Sequence, residues 1–318
     1  MDDKSFKNYC LRKFDRNRDG KLSPAEADAV TEINVRSMGM PAQFKGIEIR
    51  GIPLHSLKGI EYFPNLQKLD CYFNQLTELD VSRNKALTTL FCNSNRLTHL
   101  DLGKNRALTT LRCNSNRLTA LDVSGNTALT GLYCSDNNLT HLDVGENTAL
   151  TSLHCDGNRL TDLDVSANTA LMQLYCDDNK LTSLDVSKNS ALITLYCYNN
   201  RLTALDVGGA GAMMYLHCYD NQLTNLDISG NGALVELACG NNKLTTLDVG
   251  NNGGMGLLNC CDNRLTDTAL NAFFEVLHTP AFPGIIFMAG NPGTSGCSQG
   301  IATAKGWAVN VERHPPFP

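Results

Sequence analysis

The chain has 318 residues, of which 42% are hydrophobic, with a formal net charge of -5 and thirteen cysteines. This balance suits a packed core and excludes the strongly basic surface that nucleic acid or anionic lipid would require. No apolar run reaches the roughly 18 residues of a spanning helix, and an odd cysteine count excludes complete disulfide pairing.

The first predicted element is a helix that sets Phe6, Cys10, Leu11 and Phe14 on one face. It leads into residues 15–26, where every position of the pattern D-x-[DN]-x-[DN]-G-x5-E is filled. That spacing is a coordination geometry for calcium. Asp15, Asn17 and Asp19 offer side-chain oxygens, Lys21 its carbonyl, Ser23 a place for a ligating water, and Glu26 a bidentate carboxylate. Gly20 permits the sharp turn between them. Ser23, Pro24 and Glu26 also read as the cap, first residue and capping-box partner of a second helix. Calcium is therefore the expected cofactor, bracing an N-terminal cap over residues 1–46 in which Val30, Ile33 and Val35 pack on the first turn of a solenoid.

From there the sequence repeats every 21 residues. Cysteine recurs at Cys71, Cys92, Cys113, Cys134, Cys155, Cys176, Cys197, Cys218, Cys239 and Cys260, with an asparagine three residues after each. The unit reads L-x-x-L-x-C-x-x-N-x-L-T-x-L-D-V-S-x-N-x-A. In Leu90-Phe91-Cys92 the apolar positions are two apart, so a short strand turns Leu90 and Cys92 inward and Phe91 outward. Each repeat adds one parallel strand at about 4.7 to 4.9 Å, and stability comes from stacking neighbours. The cysteines are expected to be reduced core thiols. The asparagines satisfy backbone groups where each strand bends, and the aspartates of D-V-S hold the return turn.

These units, such as L-T-T-L-F-C-N-S-N-R-L-T-H-L-D-L at 87–102, resemble the internalin-like leucine-rich repeats of bacterial surface proteins, in the 21-residue type with a cysteine ladder. Residues 57–66 resemble the entry repeat of such proteins, and the loop at 15–26 resembles the EF-hand or dockerin-like calcium loops of bacterial extracellular proteins. The resemblance implies an α/β-type leucine-rich repeat solenoid with a parallel concave sheet over residues 47–265 and a C-terminal cap over 266–318. It further implies an adhesin-like chain, extracellular or at the cell surface, whose export signal has been removed. Departures from the pattern are Met213 and Met255 for leucine and Ala210 for the repeat asparagine.

Function is expected on the outward strand positions. Phe91, Arg112, Tyr133, His154, Tyr175, Tyr196 and His217 succeed one another in the central column, with Tyr198 and Tyr219 in the column after the cysteines and Tyr215 in the column before the leucines. With Tyr72 they place seven of the nine tyrosines on one face, an amphipathic platform of the kind found at binding hot spots. The expected partner is a protein or a glycan, bound by a monomer, with no nucleic acid and no membrane insertion. The alternative is a structural spacer in which the aromatics only strengthen the sheet. His154 and His217 lie three strands apart, too far to share a metal or relay a proton, and no phosphate loop, zinc spacing or nucleophile elbow is present, so no enzyme activity is expected.

Beyond the repeats, Asp267 is expected to cap a helix carrying Leu270, Phe273, Phe274 and Leu277, with a strand at 284–288, a short helix at 302–306 and a last strand from Trp307 after it. Cys261 and Cys297 stand outside the ladder, free or paired with each other.

Overall fold

The computed structural model describes residues 4–36, 41–44, 47–50, 53–280 and 282–312, with the backbone alone for 41–44 and 47–50. The junction expected at residue 46 lies outside the described residues. The chain forms two compact units, Met1–Asn158 and Arg159–Pro318.

In the first unit, helices α1 (Lys4–Phe14) and α2 (Pro24–Asp28) precede strand β1 (Glu32–Asn34) and an antiparallel pair, β2 (Pro41–Phe44) and β3 (Ile47–Arg50). The repeat strands come next: β4 (Lys68–Asp70), β5 (Thr89–Phe91), β6 (Thr110–Arg112), β7 (Gly131–Tyr133) and β8 (Ser152–His154). They pair in parallel in chain order, with Leu69, Leu90, Leu111, Leu132 and Leu153 side by side. β1, expected only to pack on the first turn, is itself a strand, pairing parallel to β4 with Ile33 fully buried. It gives the exposed backbone edge of the first repeat a partner.

The second unit holds β9 (Gln173–Tyr175), β10 (Ser183–Asp185), β11 (Thr194–Tyr196), β12 (Ala204–Asp206), β13 (Tyr215–His217), β14 (Glu236–Ala238) and β15 (Leu257–Asn259). Then come α3 (Asp267–Val276), β16 (Gly284–Phe287), α4 (Gly300–Ala304) and β17 (Trp307–Asn310). β9, β11, β13, β14, β15, β16 and β17 form one parallel sheet, and β10 pairs with β12 on the return side. The cap of α3 is Thr266, whose side chain accepts from the Ala269 N–H. Asp267, expected there, is instead the first helical residue, where its charge still meets the positive end of the helix.

Both units are leucine-rich repeat solenoids, and the repeat columns explain their packing. The strand leucines and ladder cysteines have no exposed surface, and all ten ladder thiols are free. Burial pushes Cys92, Cys134 and Cys218 up to about 12, so these thiols are neutral packing groups.

The asparagine after each cysteine uses its whole carboxamide. In Asn116, Nδ2 donates to the carbonyls of Cys92 at 3.1 Å and Cys113 at 2.9 Å, while Oδ1 accepts from the Leu97 N–H at 3.0 Å. One side chain thereby ties two successive turns together. A second asparagine column lies on the return side, where Asn126 Nδ2 donates to the carbonyls of Leu102 and Asn105. There Oδ1 of Asn84, Asn105, Asn126, Asn189, Asn231 and Asn252 is buried and has no hydrogen-bond partner.

The residue before each strand-end asparagine is left-handed, with φ between 49° and 62° from Phe73 to Asp262. Asn, Asp, Ser and Gly occupy nearly all of these positions because their small or locally bonding side chains tolerate that backbone. Phe73 is the exception, at φ 60° and 41% exposed. Phe73→Asn should therefore stabilise the first unit by about 1 kcal/mol. A melting temperature unchanged or lowered by that substitution would contradict the strain argument.

Candidate functional site

The pleat fixes which side chains leave the core. In the first unit, β5, β6, β7 and β8 hold Phe91, Arg112, Tyr133 and His154 at equivalent positions of adjoining strands. The Arg112 guanidinium lies between two rings, 5.0 Å from the Phe91 centroid and 4.8 Å from that of Tyr133. Tyr133 in turn meets His154 at 4.7 Å. Burial, and secondarily the charge of Arg112, lowers His154 to about 4, so its imidazole is neutral at physiological pH. Beside them Ser135 Oγ donates to Asp156 Oδ1 at 2.6 Å.

The second unit carries two ring stacks. Tyr196 lies flat on His217, with centroids 4.2 Å apart and planes 2° from parallel, and Tyr175 meets Tyr196 edge-on at 4.9 Å. One column over, Tyr198 lies flat on Tyr219 at 4.4 Å and 6°. The Tyr198 hydroxyl bonds Asp177, which is only 5% exposed, and burial together with that carboxylate raises the phenol well above its ordinary range. Tyr215 stands half-buried between Thr194 and Glu236. Within each unit the outward rings lie against one another, but His217, expected on the open face, is only 5% exposed, and its Nε2 lies 2.8 Å from Glu236 Oε1. Strand spacing is so short that a ring at every level covers its neighbour. His217 supports the stack and offers little surface to a ligand.

A further stripe escaped the sequence reading. Two residues before each strand leucine, the first unit has Thr88, Thr109, Thr130 and Thr151, whose hydroxyls donate to the carbonyl of the preceding turn at 3.1 Å. At the same repeat position the second unit has Met172, Ile193, Met214 and Val235, with Met172 44% and Met214 36% exposed. The switch from threonine to apolar residues was visible in the sequence. Its exposure depends on the neighbouring turns.

The loop after α1 is held by its own side chains. Asp15 Oδ2 accepts from the Gly20 N–H at 2.9 Å, Asn17 Oδ1 from Asp19 and Asp19 Oδ1 from Lys21, with Gly20 at φ 79°. Glu26 closes the loop onto backbone and cap: Oε1 accepts from Arg16 at 2.7 Å, and Oε2 from the Ser23 N–H and Oγ. These bonds lower its carboxyl to about 2, with the Ser23 N–H the largest cause. Asp15 Oδ1 is buried with no hydrogen-bond partner, an oxygen suited to an ion. Among the described residues no three His, Cys, Asp or Glu side chains are gathered as metal ligands. Of the six expected positions only Asp15, Asp19 and Glu26 carry such groups, and Glu26 is turned onto N–H donors.

Among solved structures, the chain is similar to the functional domain of InlJ from Listeria monocytogenes, which includes a cysteine ladder. Identity is 36% over 79% of this chain and 55% of that one, with a TM-score of 0.69, so the chain spans about half the length of that domain. An internalin, InlF, from the same species gives a TM-score of 0.71 at 19% identity, covering 99% of this chain and 96% of the other. A leucine-rich repeat protein of Leptospira interrogans gives 0.66 at 21% identity, covering 84% and 74%. These last two establish the fold alone. No family model matches the sequence, and neither does any curated protein. No helix among the described residues is long and apolar enough to cross a membrane.

Proposed function

We propose that the chain is a non-enzymatic, monomeric binding protein, secreted or displayed at a bacterial surface, which grips a protein partner through the aromatic faces of its sheets. Calcium braces the N-terminal cap. The observation that carries this reading is the contrast between columns. Leucine, cysteine and asparagine satisfy the solenoid from within, while rings that the core does not need lie half-exposed on adjoining strands. Rigid aromatic side chains lose little conformational entropy on binding and dominate hot spots. The exposed Met172 and Met214 widen that surface with flexible apolar contacts. Similarity to internalin repeat domains supports the surface location.

The test is capture of partners from surface-protein extracts, then titration of the purified partner. Replacing Tyr196, Tyr198 and Tyr219 together by alanine should weaken binding by about a hundredfold. Unchanged affinity would remove the site from these faces, and a chain that captures nothing would be a spacer.

In the cap, Asp15, Asn17, Asp19 and the Lys21 carbonyl would hold the ion, Ser23 through water, once Glu26 exchanges its N–H donors for the metal. The ion would supply charge neutralisation and stiffness between α1 and α2. With a Kd of about 0.1 to 1 mM, typical of extracellular modules, 2 mM calcium should stabilise the first unit by about 0.6 to 1.8 kcal/mol. Calorimetry should show one site that Asp15→Ala abolishes. No binding heat, and identical melting in calcium and in chelator, would overturn the assignment.

A further inference from the structure

The sheet face of the first unit carries one charge in an unusual setting. Phe91, Arg112 and Tyr133 occupy the same outward position on β5, β6 and β7, so the guanidinium has a ring on each side, at 5.0 and 4.8 Å. Tyr133 is itself seated by its neighbourhood: its ring lies over Gly131, where an added Cβ would come within 3.0 Å of Cε2. Rings thus flank the cation along the column on both sides, and the residue is exposed, which leaves N–H groups to donate outward. Among the described residues no carboxylate lies within ion-pair distance of it. The flanking outward positions are Thr89, Thr110 and Gly131 on one side and Asn93, Asn114 and Ser135 on the other, none of them charged. The next member of the column, His154, is neutral at physiological pH. The site is therefore a single, fixed and unneutralised cation on the face of a chain whose net charge is -5.

We infer that Arg112 is the receptor for a carboxylate, an Asp, Glu or chain terminus, presented by the polypeptide partner, an inference that rests on the binding role proposed above. A planar guanidinium donates two parallel N–H bonds to a carboxylate, and the ring sandwich has already removed much of the side-chain freedom such a bond would otherwise cost. The same sandwich argues against a sugar ligand at this point. The ring faces turned toward the cation, on which a pyranose would stack, are taken by Arg112 on Phe91 and on Tyr133, and Tyr133 also meets His154. A polyphosphate would need a row of free cations, whereas Lys68 on β4 is paired with Glu32 at 2.9 Å and Arg112 stands without such a partner.

Two experiments test the inference on the full chain. In the first, end-capped hexaglutamate, hexalysine and hexagalacturonate are titrated while the Arg112 Nε–H and His154 ring resonances are monitored. Hexaglutamate should shift both saturably at about millimolar concentration. The shift should vanish in Arg112→Ala, fall about tenfold or more in Arg112→Lys, which keeps the charge but loses the fork, and persist in Arg117→Ala, an exposed arginine outside the strands. No saturable shift, or tighter binding of hexagalacturonate, would overturn it. The second experiment selects binders from a random displayed peptide library. Acidic peptides that lose binding in Arg112→Gln support the inference. Peptides that need Tyr196 and Tyr219 but ignore Arg112 would leave the binding role standing and remove the carboxylate site, and a library that yields no binder would remove both.

Discussion

Replacing Asn116 by alanine should cost about 2 kcal/mol, while Asn126→Ala should cost about 1 kcal/mol or less, although both are buried asparagines that recur once per repeat. Their bonds explain the difference. Asn116 Oδ1 receives the Leu97 N–H, so truncation orphans that buried donor, while the carbonyls of Cys92 and Cys113 that its Nδ2 serves keep the Nδ2 groups of Asn95 and Asn137. An unsatisfied buried polar group costs about 1 to 3 kcal/mol. The carbonyls that Asn126 serves, Leu102 and Asn105, also accept from the Asn105 and Leu108 N–H groups, so they stay bonded when the carboxamide is lost. Truncation there also removes an Oδ1 that has no partner. Urea unfolding of the two variants decides the matter. Equal losses would mean that the carboxamide fills space in both columns and that its bonds do not set the cost.

Gly284→Val should cost a comparable amount, about 3 kcal/mol, by ejecting Trp307 from the C-terminal cap. Gly284 and Trp307 are register partners on β16 and β17, and a Cβ on Gly284 would meet the indole at 2.5 Å. The ring is 2% exposed, donates Nε1–H to the His278 carbonyl at 2.9 Å and meets the His278 ring edge-on. Because the chain has one tryptophan, its fluorescence reports the event directly. Emission should shift to the red in Gly284→Val and stay unchanged in Gly300→Ala, where an added Cβ meets nothing within 4 Å. An unshifted spectrum in the valine variant would show that the cap yields to the added side chain and keeps its indole buried.

Much of this molecule was legible before any coordinates. A 21-residue period leaves little freedom: the alternation around each cysteine sets the strand, the asparagine the bend, and the aspartate the return turn, as Ser124 N–H to Asp122 Oδ1 at 2.9 Å shows. Helix α2 with its capping box was equally readable, since Ser23 and Glu26 interact within one turn. Less legible were elements whose partners are distant in sequence. β1 has a weak pattern of its own and becomes a strand because β4 offers an open edge. Thr266 outcompetes Asp267 as a cap through the placement of the helix after the last repeat.

The candidate site divides in the same way. Sequence by itself determined which residues leave the core, because the two-residue pleat is a local property of the backbone, and it determined the spacing of the side-chain oxygens in residues 15–26. Tertiary structure decided what those residues do there. Only adjoining turns at strand spacing could press Tyr196 onto His217, bury that histidine against Glu236, and close Phe91 and Tyr133 around Arg112. Exposure, ring stacking and the company of a charge are pairwise properties across 21 residues of chain. They are settled by which turn lies beside which, and a single strand carries no record of that.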